Sequence, residues 1–304
     1  MNYFEEINSR FPVRRKDEQK RQFRDYINQK AKKYGYLSKT DNADKNNNII
    51  IGDIEKAEVI FTAHYDTPAT AIMPNLMMPL NKGLNYIIKF GYYIILAAIA
   101  IVAALLIANN FFDGNSFFFL LYYSLFYVLL MYLTVLCFTN KNNYNDNTSG
   151  VSCIMSLVSE INSDKVAFIL FDNEEKGLLG SKAHNKKYLD IMKDKLVINL
   201  DCIGNGNHFI FVSKEKAMNN KYYSLLKETF IISEKYNVIF VSDKEGSLNS
   251  DNKSFETSIG LSACSKSKKN VYYTGRIHTN KDNFIDLDNI NYVTNKMKDF
   301  IERI

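Results

Sequence analysis

The sequence lacks the features that identify a secreted or disulfide-bonded protein. It has four cysteines and no Cys-x-x-Cys pair, which indicates buried free thiols in a reducing compartment: Cys137, Cys153, Cys202 and Cys264. The N-terminal segment also lacks the apolar core that a signal peptide needs. We therefore expect that no cleaved leader exports the catalytic part of the chain.

A strong charge of one sign is missing as well. The chain has 38 Lys and Arg against 33 Asp and Glu, a formal net charge of +5, and the basic residues are scattered among acidic ones. This balance argues against nucleic-acid binding and provides only a weak attraction to anionic lipid. No internal repeat is visible, and 304 residues suffice for one large domain or two ordinary ones.

Two long stretches carry no charge at all. Residues 90–108 lack charged side chains over 19 positions, and residues 117–138 lack them over 22. A helix needs about 20 apolar residues to cross the hydrocarbon core, and the polar loop between the stretches is short. Residues 84–138 are therefore predicted to form a two-helix transmembrane hairpin in the lipid bilayer. The alternative, a pair of buried core helices, is disfavoured because neither stretch has a polar stripe.

The charges beside the hairpin predict its orientation. Lys82 and Lys89 flank the first stretch and Lys141 follows the second, whereas the connecting loop has Asp113 and no Lys or Arg. By the positive-inside rule, we expect an integral protein of the cell membrane with two spans. Its catalytic domain and both termini would lie in the cytoplasm.

Outside the hairpin, strand patterns alternate with helix patterns. Strands are predicted at 57–63, 166–171, 196–200, 208–213, 238–242 and 260–264; helices are predicted at 17–35, 149–161, 216–235 and 285–303, and a loop at 40–48. This alternation indicates an α/β fold with a mixed, largely parallel central sheet flanked by helices. The catalytic domain would comprise 1–83 and 139–304, and ligands would gather at the C-terminal ends of its strands.

Metal-binding residue types occur where these strands end. They fall at five places: His64-Tyr65-Asp66, Asp146-Asn147, Glu174-Glu175, Asp201 and His278. Zinc accepts imidazole nitrogen and carboxylate oxygen, and two ions ~3.5–4 Å apart can share a bridging carboxylate. Two histidines and three carboxylates form an adequate ligand set for such a pair. The remaining two histidines, His184 and His208, have no acidic neighbour in a comparable setting and are expected to be surface or structural residues.

Two acidic residues are predicted to act without binding metal. Because Glu174 and Glu175 are adjacent, one can bind an ion while the other serves as the general base. Asp66, two residues after His64, can accept the second N–H of that imidazole and fix its tautomer.

The strings around these residues resemble a known family in their order along the chain. They are Ala63–Pro68 (AHYDTP), Asp146–Val151 (DNTSGV), Asn173–Ser181 (NEEKGLLGS), Asn199–Gly204 (NLDCIG) and His278–Asp282 (HTNKD). The family is the two-zinc exopeptidase group that includes bacterial leucyl aminopeptidases, glutamate carboxypeptidase, glutaminyl cyclase and the inactive transferrin receptor. The resemblance runs from about residue 20 to residue 304, and the hairpin looks like an insertion into it.

The resemblance implies a zinc exopeptidase that holds two Zn²⁺ ions and acts on peptide substrates. The implied roles are His64 and Asp201 on one ion, Glu175 and His278 on the other, Asp146 as the bridge and Glu174 as the general base. It also implies a cis peptide bond between Asp146 and Asn147. The family's habits favour an aminopeptidase over a carboxypeptidase.

Two positions depart from the family pattern. Asn252 stands where a histidine is frequent, and Ile277 precedes the last ligand, where an aromatic hydroxyl could otherwise steady an oxyanion. The oxyanion donor is therefore unassigned, and Tyr272 and Tyr273 are expected to fill the core.

Two further functions remain open beside an aminopeptidase. One is a cyclase or other amide hydrolase on the same fold; cyclase relatives hold a single zinc, so the presence of both His64 and Asp201 argues against it. The other is an inactive membrane-bound binding module; such relatives lose metal ligands, whereas the full set is present here.

The hairpin interrupts the chain between two of the predicted site residues, Asp66 and Asp146. Eight residues lead from Phe138 to Asp146, a tether that cannot exceed about 29 Å when fully extended. The other linker contains apolar residues: Ile72, Met73, Leu76, Met77 and Met78. Either the hairpin is only an anchor, or the active site lies near the bilayer and takes hydrophobic peptides from it.

Overall fold

The structure is a computed structural model that describes residues 2–71, 75–133 and 138–304, without the side chain of Lys89. Several residues used above therefore lie outside the described residues: Ile72, Met73, Cys137 and, in the second predicted span, residues 134–136. Three cysteines, Cys153, Cys202 and Cys264, are buried free thiols, as predicted.

The described chain alternates helices and strands. The helices are α1 (Tyr3–Arg10), α2 (Asp17–Lys33), α3 (Lys82–Phe111), α4 (Ser116–Met131), α5 (Gly150–Glu160), α6 (Leu179–Lys187), α7 (Leu189–Met192), α8 (Glu215–Met218), α9 (Tyr223–Thr229) and α10 (Leu287–Glu302). The strands are β1 (Ser38–Ala43), β2 (Asn46–Ile51), β3 (Val59–His64), β4 (Asn75–Met77), β5 (Val166–Phe171), β6 (Leu196–Leu200), β7 (His208–Ser213), β8 (Asn237–Ser242), β9 (Ser258–Lys266) and β10 (Tyr272–Ile277).

These strands form one mixed sheet with the order β1-β2-β5-β3-β6-β9-β10-β4, and β7 joins β9 to β8. The central strands β5, β3, β6 and β9 are parallel, whereas β2 pairs antiparallel with β5. One face of the sheet is covered by α1, α2, α5 and α10, and the other by a smaller cluster that includes Met192 and Phe255. The predicted mixed α/β fold with a central sheet flanked by helices is confirmed.

The centre of the sheet follows from strands that are mostly apolar. Every residue of β3, β5 and β6 is buried, as expected for parallel strands covered on both faces. Because these strands are parallel and adjacent, their C-terminal ends meet at one edge of the sheet. That edge is where the predicted ligands follow them.

Two sequence predictions were wrong. Residues 40–48 are not a loop but most of an antiparallel hairpin of β1 and β2, whose turn holds Asp44 and Lys45 at positive φ. Its outer strand lies at the sheet edge and exposes polar side chains, so it carries no apolar signal. The helix predicted at 216–235 is instead the two short helices α8 and α9, separated by a turn at Asn219 and Asn220.

Helices α3 and α4 fold back on each other. A stripe of small residues four apart, Ala100, Ala104 and Ala108, is buried between them, while most of their large apolar side chains are exposed. Among the described residues, only α3, with 30 residues, is long and apolar enough to cross a membrane. The apolar helix α4 has 16 residues, so the structure does not confirm two spans.

The two connections to the α3–α4 hairpin are hydrogen-bonded to each other, and the first is also bonded to His278. Thr70 N–H donates to the carbonyl of Phe138 at 2.8 Å, and Ala69 forms an antiparallel bridge with Thr139. Ala71 N–H donates to the carbonyl of His278 at 2.7 Å. Residues 69–71 before the hairpin and residues 138–139 after it therefore lie beside each other, and residue 71 lies beside a predicted metal ligand.

Candidate metal centre

Side chains at the ends of β3, β5 and β6 lie close together at the C-terminal edge of the sheet. His64 is the last residue of β3, Asp201 directly follows β6, and Glu174 and Glu175 lie in a helical turn just after β5. His278 directly follows β10. The sequence argument from strand ends therefore located His64, Asp201 and the two glutamates, whereas the strand that precedes His278 was not predicted.

Asp146 comes from an irregular helical turn, Tyr144–Ser149, that precedes α5. The peptide bond between Asp146 and Asn147 is cis, as the resemblance implied. The Asp282 carboxylate accepts the backbone N–H groups of Asn145 and Asp146 at 2.9 and 3.1 Å. On the other side, the Asn147 side chain donates to the carbonyl of Leu200 at 2.9 Å, which ties this turn to the end of β6.

Asp146 lies between the two imidazoles. Its Oδ1 is 3.2 Å from Nε2 of His64, and its Oδ2 is 3.0 Å from Nε2 of His278. His64 Nε2 is also 3.8 Å from Asp201 Oδ1, and His278 Nε2 is 3.3 Å from Glu175 Oε2. The arrangement is two imidazole–carboxylate groups that share one carboxylate.

Asp66 links two of the ligand loops. Its carboxylate accepts the backbone N–H groups of Glu174 and Glu175 at 3.0 and 3.3 Å. His64 Nδ1 lies 3.2 Å from the backbone carbonyl of Asp66 and 3.6 Å from its carboxylate. The nearer partner of the imidazole is thus the carbonyl, and the Asp66 carboxylate mainly holds the turn that carries the glutamates.

Charge repulsion and burial perturb the acidic groups of the site. Burial raises the pKa of Glu174 well above its ordinary value, and the Glu175 and Asp251 carboxylates raise it further against the opposing effect of His64. Burial alone would lower the pKa of His64, but Glu174, Asp146 and Asp201 raise it well above the usual range. The site thus has an excess of negative charge.

The chemistry of the donors fits bound cations. Among the described residues, three groups have ligand atoms within 4.8 Å of one another: His64 with Asp146 and Asp201, His64 with Glu174 and Glu175, and Asp146 with Glu175 and His278. Three of these buried atoms have no hydrogen-bond partner: His64 Nε2, Glu175 Oε1 and Asp201 Oδ1. A buried polar atom without a partner is costly, and a borderline cation such as zinc would satisfy nitrogen and oxygen together.

A cavity of about 320 Å³ lies over the cluster. Four carboxylates line it, those of Asp146, Glu174, Glu175 and Asp201, together with His278. Ile277 also faces it, and Tyr272 packs against His208 with ring centroids 5.1 Å apart. Neither histidine outside the cluster is on the surface: His184 and His208 are both buried.

Three residues with positive φ mark the ligand loops. Asn173 precedes the glutamates at φ 53°, Cys202 follows Asp201 at 57°, and His278 itself has 58°. Non-glycine residues in this region are uncommon and persist where the surrounding structure holds them. The loops are therefore fixed by contacts that a strand pattern does not predict.

Sequence reasoning missed the N-terminal segment that supplies such contacts. The Arg14 guanidinium, fully buried, donates to the Tyr65 carbonyl at 2.5 Å and to the Thr148 hydroxyl at 2.9 Å, which ties the exit of β3 to the Asp146 turn. Lys20 Nζ donates to Asp172 and Asn173, both at 2.6 Å, just before Glu174. Only the combination of a buried position with a cationic side chain could have indicated these residues, and burial is not visible in the sequence.

Asp251 was also missed as a site residue. It lies in a helical turn beside Asn252, is fully buried, and has no hydrogen-bond partner for either carboxylate oxygen. Burial and the nearby Asp66 and Asp201 carboxylates raise the pKa of Asp251 to about 7, against the opposing effect of His64.

The comparisons with known proteins agree with this geometry. A family model described as Peptidase family M28 matches residues 138–300, which is more than half of the chain. No curated protein sequence matches at a significant level.

Solved structures resemble the fold. The LapA aminopeptidase of Legionella pneumophila matches with a TM-score of 0.58 and 14% identity over 98% of this chain and 69% of that chain. A glutaminyl cyclase of Porphyromonas gingivalis matches with a TM-score of 0.60 and 14% identity over 99% and 96%. A Zn-dependent exopeptidase of Parabacteroides distasonis gives 0.56 and 14% over 97% and 94%. At these identities the likeness is one of fold.

Replacing Lys20 by Met should destabilise the protein by about 3–5 kcal/mol, because Asp172 would be left buried without its cation. The matched control is Arg21→Met on the same helix, where the ion pair with Glu18 is exposed and little should change. Urea unfolding of the full chain in detergent measures both. Equal unfolding free energies for the two variants would contradict a supporting role for Lys20.

Proposed function

Because the chain belongs to peptidase family M28, we propose that it is a membrane-anchored, zinc-dependent exopeptidase that removes residues from the amino end of peptides. The observation that carries the proposal is the shared position of Asp146, with one carboxylate oxygen toward each imidazole. That position suits a carboxylate that bridges two metal ions.

Five residues would hold two zinc ions. His64 and Asp201 would bind one, Glu175 and His278 the other, and Asp146 both. When bound, the ions would polarise the scissile carbonyl and lower the pKa of the attacking water. His64, Glu175 and Asp201 each have a buried side-chain atom without a hydrogen-bond partner, which supports this assignment.

Glu174 would be the general base. It lines the cavity beside the ligands, and its backbone N–H is held by Asp66 at 3.0 Å. Its carboxylate would take the proton of the attacking water and deliver it to the leaving amine.

The cavity supports an exopeptidase that reads the amino end. Its volume of about 320 Å³ is near the lower limit of ligand pockets, ~300–1,000 Å³, so it suits the end of a chain. Its lining has four carboxylates and one ammonium group, Lys182, whose Nζ already donates to the carbonyl of Gly177 at 2.9 Å. The two Zn²⁺ ions would offset these carboxylates, so the preference comes from Lys182. With Lys182 engaged, the described lining has no other Lys or Arg to hold a substrate's α-carboxylate, which favours an α-ammonium end.

The membrane anchor would be the segment 84–138, with 1–83 and 139–304 as the catalytic domain. The exposed apolar side chains of α3 and its length support insertion into lipid. The small-residue stripe of α3 allows the close helix approach that is common inside membranes. The second span would consist of α4 and the residues that follow it.

The likeness to a glutaminyl cyclase makes cyclisation the second candidate. Incubation of the full-length zinc-loaded protein with peptides, followed by mass spectrometry, separates the two. We expect release of the first residue from peptides with a free amine, no cleavage of acetylated peptides, and release of free glutamine from a peptide that begins with Gln. Loss of ammonia without shortening would indicate a cyclase, and release of the last residue a carboxypeptidase.

The two glutamates should respond differently to substitution. Glu174→Gln should lower kcat by a factor of about 10²–10⁴ while two zinc ions stay bound, because only the base is lost. Glu175→Gln should lower the zinc content toward one ion per chain, because a ligand is lost. Elemental analysis and steady-state kinetics measure both effects, with His208→Gln as a control histidine-site variant outside the cluster.

Two results would contradict these roles. A wild-type protein that retains one ion or fewer after purification with zinc would exclude the two-metal site. Near-wild-type activity of Glu174→Gln would show that the base is another residue.

The proposed topology puts the catalytic domain in the cytoplasm. A cysteine introduced into the loop 112–115 should react with an impermeant reagent on intact cells, whereas a C-terminal tag should become accessible only after lysis. The physical reason is that Lys82 and Lys141 lie on the domain side and the loop has no basic residue. The opposite labelling pattern would overturn the orientation.

A further inference from the structure

We propose that the substrates are membrane-anchored peptides whose free amino end projects only a few residues from the bilayer surface. This inference rests on the proposed membrane-anchored peptidase function and specifies its substrate class. The observation that supports it is that the start of the hairpin forms one wall of the catalytic cavity.

The cavity over the ligand cluster is walled by the start of the hairpin. Leu76 and Met77 of β4 and Asn85 in the first turn of α3 line it together with Glu175 and His278. The segment that leads into the apolar helix is thus a wall of the site and not a remote tether.

Asn85 in this wall belongs to the same helix as the apolar part of α3. The helix runs continuously from Lys82 to Phe111, and its uncharged stretch begins at Phe90. Phe90 lies five positions after Asn85 along the helix, a rise of ~7.5 Å. If Phe90 enters the hydrocarbon region, the cavity wall lies within about 10 Å of the membrane interface.

The start of α3 is fixed on the catalytic part. Lys82 Nζ donates to the carbonyls of Asp243 and Lys244 at 2.6 and 2.8 Å. Ser247 N–H donates to the carbonyl of Pro79 at 2.8 Å, and β4 pairs antiparallel with β10. Because these bonds fix α3, the distance from the cavity to the membrane is fixed with it.

This geometry selects substrates by the length of their exposed part. An extended peptide spans ~3.3 Å per residue, so four residues between a lipid-embedded segment and the amino end reach ~13 Å, enough to enter the cavity. If the hairpin were only an anchor and the cavity opened on the far side, a four-residue spacer could not reach it. The catalytic part, 249 residues without the hairpin, has a radius of gyration of roughly 18 Å.

The test uses the full-length zinc-loaded protein in phosphatidylcholine vesicles with three peptides that share one amino-terminal sequence. One is soluble, one has a bilayer-spanning tail after a four-residue spacer, and one has the same tail after a twenty-residue spacer. Release of the first residue is followed by mass spectrometry at equal peptide-to-lipid ratio. Acetylated versions of each peptide give the blank.

We expect the four-residue spacer to be cleaved about twofold faster than the twenty-residue spacer, because the layer of water through which the amino end spreads grows roughly as the square root of spacer length. Equal rates, or faster cleavage of the twenty-residue spacer, would overturn the inference. If the soluble peptide is cleaved in such a case, the proposed peptidase function survives. If none of the three peptides is cleaved, the proposed function fails together with the inference.

Discussion

Negative charge collected in a buried place is the constraint on which the rest of this structure depends. Among the described residues, five carboxylates converge on the imidazoles of His64 and His278: those of Asp66, Asp146, Glu174, Glu175 and Asp201. The cations of Arg14 and Lys20 act on Asp66 alone among these five. Charges without partners are strongly disfavoured away from water. The fold must therefore bring these oxygens together and also keep them from separating. The parallel strands bring them together, but they do not hold the ligand loops in place.

The ligand loops are held in place by residues that do not line the cavity. The Asp282 carboxylate fixes the backbone on which Asp146 stands, and Lys20 fixes the residues just before Glu174. Arg14 joins the end of β3 to the start of α5 through Tyr65 and Thr148. Each of these bonds is made between segments far apart in sequence, so the ligand loops are rigid only in the completed fold.

The sequence predicted the parts of this protein that are determined locally. Strands β3, β5 and β6 are mostly apolar, and the residues at or after their ends were correctly assigned to one edge of the sheet. The hairpin of β1 and β2 escaped prediction because an edge strand made of Asn, Asp and Lys looks like a loop unless its partner is known. The contacts of Arg14 and Lys20 escaped prediction for a related reason, since a basic side chain on a polar helix is normally solvated.

The order of the sheet has a consequence for how the chain is made. Strand β3 pairs in parallel with β5, Val59 against Val166, and the whole hairpin lies between them in the chain. During synthesis His64 emerges from the ribosome long before its neighbouring strand exists. His64, which belongs to the proposed metal centre, and the rest of β3 therefore stay without a neighbouring strand while α3 and α4 are produced. Such long-range parallel pairing is slow, so β3 stays exposed until its partners β5 and β6 have been made.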